Sequence, residues 1–467
     1  MESRSEATRH NDEHQRAACR VLFQPSPDLI RVGGSRRWFL QTGLAGLAGL
    51  SLPNLLRGRA LSGSGNDRKA VILIWLSGGP SQLDTWDPKP DAPSEIRGPF
   101  GSIPSKIPGI RICDQLPRQA SIMDRLTIVR SVDCRSSVDH FPAPMQAGNP
   151  LAQRSQTDPH LGTHPSMGSL AAHLRGPNDP SLPAFVGMAD LNLLFADVLG
   201  AGPLGGAYEP ADAAQLAGRL NLARGVHLNQ VKNRAELCRQ FDRLRRDLDA
   251  GETMARMDHY RQQALDIVLS GKAQRAFRLD LEPDRVRGTY GRHSLGERTL
   301  LARRLVEAGV TFVTVSGTFG VFDNHGDDVV WGGIVKGLKP RLTELDQALS
   351  ALVKDLQDRG LLDSTMVLVL GEIGRSPVFS QRGTGGREHW SNCMSMLVAG
   401  GKLTHGQAVG STDSKGGEVK EARVMPSDLA ATVFRHLGIP LDAHWTDLQG
   451  RPHPIVTEGG RPIPELG

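Results

Sequence analysis

Short, almost uninterrupted apolar runs separated by helical patterns narrow the folds open to this chain. Residues 69–76 read KAVILIWL and end in Ser77-Gly78-Gly79-Pro80. A run of that length, bounded by turn residues, predicts a strand buried on both faces. LTIVRSV at 126–132, VTFVTV at 310–315, TMVLVL at 365–370 and residues 394–398 predict further strands. Between them, 294–308 (SLGERTLLARRLVEA, stopped by Gly309), 342–356 and 427–437 carry apolar residues at helical spacing, with Ser427 read as the cap of the last. Buried strands alternating with helices predict an α/β fold, a mostly parallel sheet covered on both sides. Residues 211–279 are rich in Ala, Arg, Gln and Leu, and predict a helical insertion without strands.

Charge excludes one class of partner. The formal charge is +5, but residues 1–60 hold nine Arg against five Asp/Glu; without them 46 basic residues face 45 acidic ones. No basic stripe interleaved with aromatics remains, so nucleic acid is not an expected partner. Five cysteines are present and none forms a CxxC pair. In an oxidising compartment, Cys113, Cys134, Cys238 and Cys393 allow three full pairings, among which the sequence does not choose.

The basic excess sits mostly in a leader. Ser35-Arg36-Arg37-Trp38-Phe39-Leu40 precedes a weakly apolar Gly/Ala/Leu run. Paired arginines before such a run read as a twin-arginine export signal, and the alternative is a retained membrane anchor. We therefore divide the chain into 1–65, a polar extension plus signal, and 66–467, the α/β domain with its insertion. The expected location is exported, periplasmic or envelope-associated, and the translocation machinery is an expected partner.

Ligands of open parallel sheets bind beyond the carboxyl ends of the strands. Polar clusters fall there: SGGPSQLDTWD after residue 76, SGTFGVFDNHGD after 315, GEIGRSP after 370, and GREHW in the following loop. Asp323 and His325, two apart, face one side of an extended segment. Glu372 and His389 add a carboxylate and an imidazole, and Asp84 is a further candidate. Together they predict a divalent metal site: zinc first, with manganese, calcium or iron as alternatives. Arg375 either holds a substrate oxyanion or pairs with Glu372. The pair Asp139-His140 reads equally as site or surface. Thr163 and Ser166, in THPSMGSLAAHL, read either as nucleophiles at a helix start or as helix caps, Thr163 being the expected cap.

These motifs carry a resemblance. SRRWFL, VILIWLSGGPSQLDTWDPKPDAP, YGRHSLGERTLLARRLVEAGVTFVTV, FDNHGD, GEIGRSP and GREHW, in that order, resemble the exported bacterial family called domain of unknown function 1501, placed in the alkaline phosphatase and sulfatase superfamily. The resemblance implies a three-layer α/β sandwich and metal-assisted hydrolysis of phosphate or sulfate esters, with a small-molecule or polysaccharide ester as substrate. Asp323 and His325 resemble that superfamily's Asp/His ligand pair, and His389 its later ligand histidine. Glu372 stands where an Asp-His pair is usual, and Ser77-Gly78-Gly79 where the first strand usually ends in a ligand aspartate. Thr163-His164-Pro165-Ser166-Met167 is similar to the sulfatase nucleophile motif, with a threonine that cannot mature to formylglycine. The rival expectation is a non-catalytic envelope protein that binds sulfated or phosphorylated glycans on the same fold.

Overall fold

The computed structural model describes residues 68–467 apart from 138–139, 154–161, 190–197, most of 220–270, 318–319, 327–331, 382 and 458. The leader, Asp139, Cys238 and most of the expected insertion lie outside the described residues. No described helix is long and apolar enough to cross a membrane.

Eight strands form the central sheet: β1 (Ala70–Trp75), β2 (Leu126–Val132), β3 (Phe185–Met188), β4 (Ala211–Asp212), β5 (Phe312–Ser316), β6 (Thr365–Leu370), β7 (Met394–Gly400) and β8 (Gln407–Val409). Their order is β8-β2-β7-β6-β1-β5-β3-β4. β1 lies at the middle, parallel to β5 on one side and β6 on the other. β7 runs antiparallel to both β6 and β2, and the remaining pairings are parallel. One reversed strand therefore sits inside an otherwise parallel sheet.

The apolar runs work as expected because both faces of each strand are covered. Ile72, Ile74, Val313, Val315, Val367 and Val369 point to one side, where they pack with helices α2 (Ser294–Ala308) and α3 (Lys339–Asp358). Val71, Leu73, Trp75, Leu368, Met396 and Val398 point to the other, against α1 (Met167–Leu174) and α4 (Pro426–Leu437). Side chains alternate across a strand, so a strand with no polar face needs two helical layers. The result is the three-layer α/β sandwich.

Several details differ from the sequence reading. The helix expected to be capped by Thr163 begins at Met167, and Ser166 is its cap, its Oγ accepting the Ser169 N–H at 3.1 Å. α4 starts one residue earlier than expected: Met425 is the N-cap, and the Asp428 carboxylate accepts the Met425 N–H at 2.9 Å. Ser427 is thus inside the first turn. β4 opens a stretch read as helix only. It is two residues long and held by its pairing to β3, so no periodicity announces it. Cys113, Cys134 and Cys393 are buried free thiols.

Candidate metal centre

The carboxyl ends of β1, β2, β5 and β6 lie on one edge of the sheet. The reversed β7 begins on that same edge, so the residues just before it arrive there too. This is what brings GREHW to the site. His140 follows β2, Asp323 and His325 follow β5, Glu372 and Arg375 follow β6, and His389 precedes β7. Two close approaches hold the loops together. Gly78, after β1, has φ +106°, and a Cβ there would lie 2.5 Å from the Asp323 nitrogen. A Cβ on Gly386 would lie 2.2 Å from the His325 carbonyl carbon. Only glycine permits these contacts.

His140, Asp323, His325 and His389 bring one ligand atom each within 4.8 Å of one another. All three imidazoles turn Nε2 toward the Asp323 carboxylate. His325 Nε2 lies 2.6 Å and His389 Nε2 3.2 Å from Oδ1, and His140 Nε2 lies 3.2 Å from Oδ2. His325 and His389 Nε2 are 3.0 Å apart. Ligands placed tetrahedrally at about 2.0–2.1 Å from an ion are about 3.3 Å from each other, so these spacings fit one small cation.

Two rings are held from behind. His140 Nδ1 lies 2.8 Å from Glu372 Oε1, and His325 Nδ1 lies 2.8 Å from Glu388 Oε2. Each of these carboxylates accepts from Nδ1, which leaves Nε2 as the nitrogen turned toward Asp323 and the one that gives its lone pair to an ion once its proton has left. Glu372 is 1% exposed; its Oε1 also accepts the Gly78 N–H at 2.8 Å, and its Oε2 has no partner among the described residues.

The electrostatics favour a cation. Burial alone would raise the Asp323 carboxyl, but His140, His325, His389 and Arg375 outweigh it and hold it far below the usual range. Burial would lower His140, but Asp323 and Glu372 push it up to about 9. His325 is raised chiefly by its bond to Asp323. Positive charge is thus strongly stabilised where the four donors meet.

The other expected site residues fall into distinct places. Arg375 is buried and committed: Nε donates to Gly79 O at 2.9 Å, Nη1 to Arg387 O at 3.2 Å, and Nη2 to Gly78 O and Asp323 Oδ1. Its charge partner is Asp323 rather than Glu372. Asp84 is not part of the cluster. Its Oδ2 takes Arg387 Nε at 2.6 Å and the Ser81 hydroxyl at 2.5 Å, in an ion pair with both side chains 0% exposed. Glu372 stands one layer behind His140. Thr163 is exposed, bonded to Gln153 and His164, while Ser166 Oγ bonds to Ser169; neither bonds to the cluster.

Sequence reasoning passed over three residues. Gln82 brackets Arg375, accepting its N–H at 2.9 Å and donating to its carbonyl at 2.8 Å. Arg387 ties Asp84 to Ile96, Ser376 and Pro377. Glu388 backs His325. Of these only Glu388 left a signal, a carboxylate beside His389 in GREHW, and its partner turned out to be the other histidine.

The chain belongs to the family described as Protein of unknown function (DUF1501), which matches residues 68–466. Comparison with curated proteins finds no significant match. Among solved structures, the chain is similar to Ps i-CgsB in complex with k-i-k-neocarrahexaose, at 11% identity and TM-score 0.35, covering 80% of this chain and 72% of that one. It is similar to the lipoteichoic acid synthase LtaP from Listeria monocytogenes, at 11% identity and TM-score 0.31, covering 80% and 73%. It is also similar to the PsFucS1 sulfatase from Pseudoalteromonas sp., at 12% identity and TM-score 0.34, covering 83% and 72%.

Proposed function

We propose that this chain is an exported metal-dependent hydrolase of phosphate or sulfate esters, with the metal held by Asp323, His140, His325 and His389. The observation that carries the reading is the convergence of three Nε2 atoms on one carboxylate at the carboxyl edge of the sheet. Three nitrogens and one oxygen suit zinc, with manganese or iron next; calcium prefers six to eight oxygens, and the set offers too few. When bound, the ion polarises an ester oxygen and lowers the pKa of water. The chain's own residues do the rest. Glu372 and Glu388 orient the imidazoles, Arg375 fixes Asp323 to the loop after β1, and the partly exposed His389 leaves an approach from solvent. The ester class comes from the motif resemblance, and export from the SRRWFL leader, with the translocation machinery as partner.

The test is turnover of aryl phosphates, phosphodiesters and aryl sulfates by purified protein supplied with zinc, manganese or iron. The expected result is hydrolysis of at least one class, abolished by Asp323→Ala. Absence of turnover with metal bound supports the second reading, a glycan-binding envelope protein. One observation favours that alternative: the Thr163 and Ser166 hydroxyls hydrogen-bond to Gln153, His164 and Ser169 and to none of the four cluster residues.

A further inference from the structure

The three histidines are not equivalent. Glu372 lies behind His140 and Glu388 behind His325, each 2.8 Å from Nδ1. His389 has no such support: among the described residues its side-chain hydrogen bonds all run from Nε2, to Asp323 and His325. Exposure follows the same order. The side chains of His140, His325 and His389 are 12%, 21% and 35% exposed. The His389 backbone is paired with Arg375 in a two-residue ladder, so its position is set while its ring is not. That ring meets His140 edge-on, with centroids 4.4 Å apart.

A carboxylate behind a ligand imidazole fixes its tautomer and orientation and raises its basicity. A ring without one loses less when it leaves, because it abandons no second bond. We infer that the centre is divided into a permanent triad, Asp323 with the clamped His140 and His325, and an exchangeable fourth position, His389, which a substrate oxygen displaces on the solvent side. Glu372 and Glu388 are positioning residues, because they act through the histidines. The inference rests on the metal reading above and adds to it an order among the ligands. Two imidazoles and one carboxylate with open positions form a binding set in their own right.

The experiment compares zinc affinity, by chelator competition, and cobalt(II) absorption for wild type, His140→Ala, His325→Ala, His389→Ala, Glu372→Gln and Glu388→Gln. His389→Ala is expected to keep stoichiometric zinc with less than about tenfold loss of affinity, and added imidazole to restore its cobalt spectrum. His140→Ala and His325→Ala are expected to lose the metal. Each Gln variant is expected to weaken zinc about 10–100-fold. Glu372 is buried, and its variant can fail through folding; Glu388, whose side chain is 61% exposed, carries the test independently. The inference is overturned if His389→Ala loses zinc as completely as His140→Ala, or if Glu388→Gln binds zinc as wild type does. Wild type that binds no zinc overturns the metal reading itself, which is a different result.

Discussion

Asp84 and Arg387 make a prediction that separates scaffold from site. Both side chains are fully buried, and Arg387 Nε meets Asp84 Oδ2 at 2.6 Å. The guanidinium also donates to Ser376 O at 3.2 Å, Pro377 O at 2.5 Å and Ile96 O at 2.8 Å. Asp84→Asn leaves a buried cation with neutral acceptors only. Removing one partner of a buried pair costs about 3–5 kcal/mol. The asparagine carbonyl still accepts from Nε, which puts this variant at about 3 kcal/mol. Arg387→Met leaves the Asp84 carboxylate with the Ser81 hydroxyl, its other oxygen already without a partner among the described residues, and strips three carbonyls of their donor. That puts it at about 5 kcal/mol, a large share of the roughly 5–15 kcal/mol that holds a typical fold. The double variant is expected to cost clearly less than the sum, because neither charge is then left buried alone. Urea unfolding followed by circular dichroism measures all three, and metal content is read on the same samples. Near-additive single effects below about 1 kcal/mol would refute the reasoning. So would loss of metal from folded Asp84→Asn, since that behaviour belongs to a ligand.

Two further predictions follow from single contacts. Gly78→Ala puts a methyl 2.5 Å from the Asp323 nitrogen at a backbone conformation of φ +106°. It is expected to cost about 1–3 kcal/mol and to lower metal content, because Asp323 must move; a variant that is stable and fully loaded contradicts the packing. His436, 7% exposed with Nε2 3.0 Å from Ala70 O, is pulled down to about 4, by burial against the opposing pull of that carbonyl. Above about pH 6.5 the ring is neutral folded and unfolded, and its contribution is fully present. As pH falls from about 6.5 to about 4, only the unfolded chain takes the proton, and up to about 3 kcal/mol is lost. His436→Gln is expected to flatten the stability curve across that window and leave it unchanged above it; an identical pH slope contradicts the assignment.

The fold was legible because its strands are buried on both faces. KAVILIWL and TMVLVL need no alternation to announce themselves, and their ends mark the edge where ligands collect. β3 and β8 were not legible: they run four and three residues and are held by pairing rather than pattern. Strand direction was not legible either. Nothing in MSMLVAG distinguishes the reversed β7, although that reversal places His389 on the ligand edge. At the site, Asp323, His325 and His389 stood out as polar residues at strand ends. His140 read equally as site or surface because its partners, Asp323 and Glu372, come from distant segments. For the same reason, position after a strand could not separate Glu372, behind a histidine, or Asp84, paired with Arg387, from residues that face the centre. The hydroxyls of Thr163 and Ser166 show the same limit, since a helix start asks for the same residue types as an activated nucleophile.

Asp323 and the three histidines are proposed to form a metal centre. Its most direct test is the metal content of protein purified without chelators and exposed to zinc, manganese and iron, by elemental mass spectrometry, for wild type beside Asp323→Ala/His325→Ala. One equivalent of a transition metal, zinc first, is expected in wild type, with its loss from a folded double variant. Metal-free wild type, or equal loading of the two proteins, would contradict it.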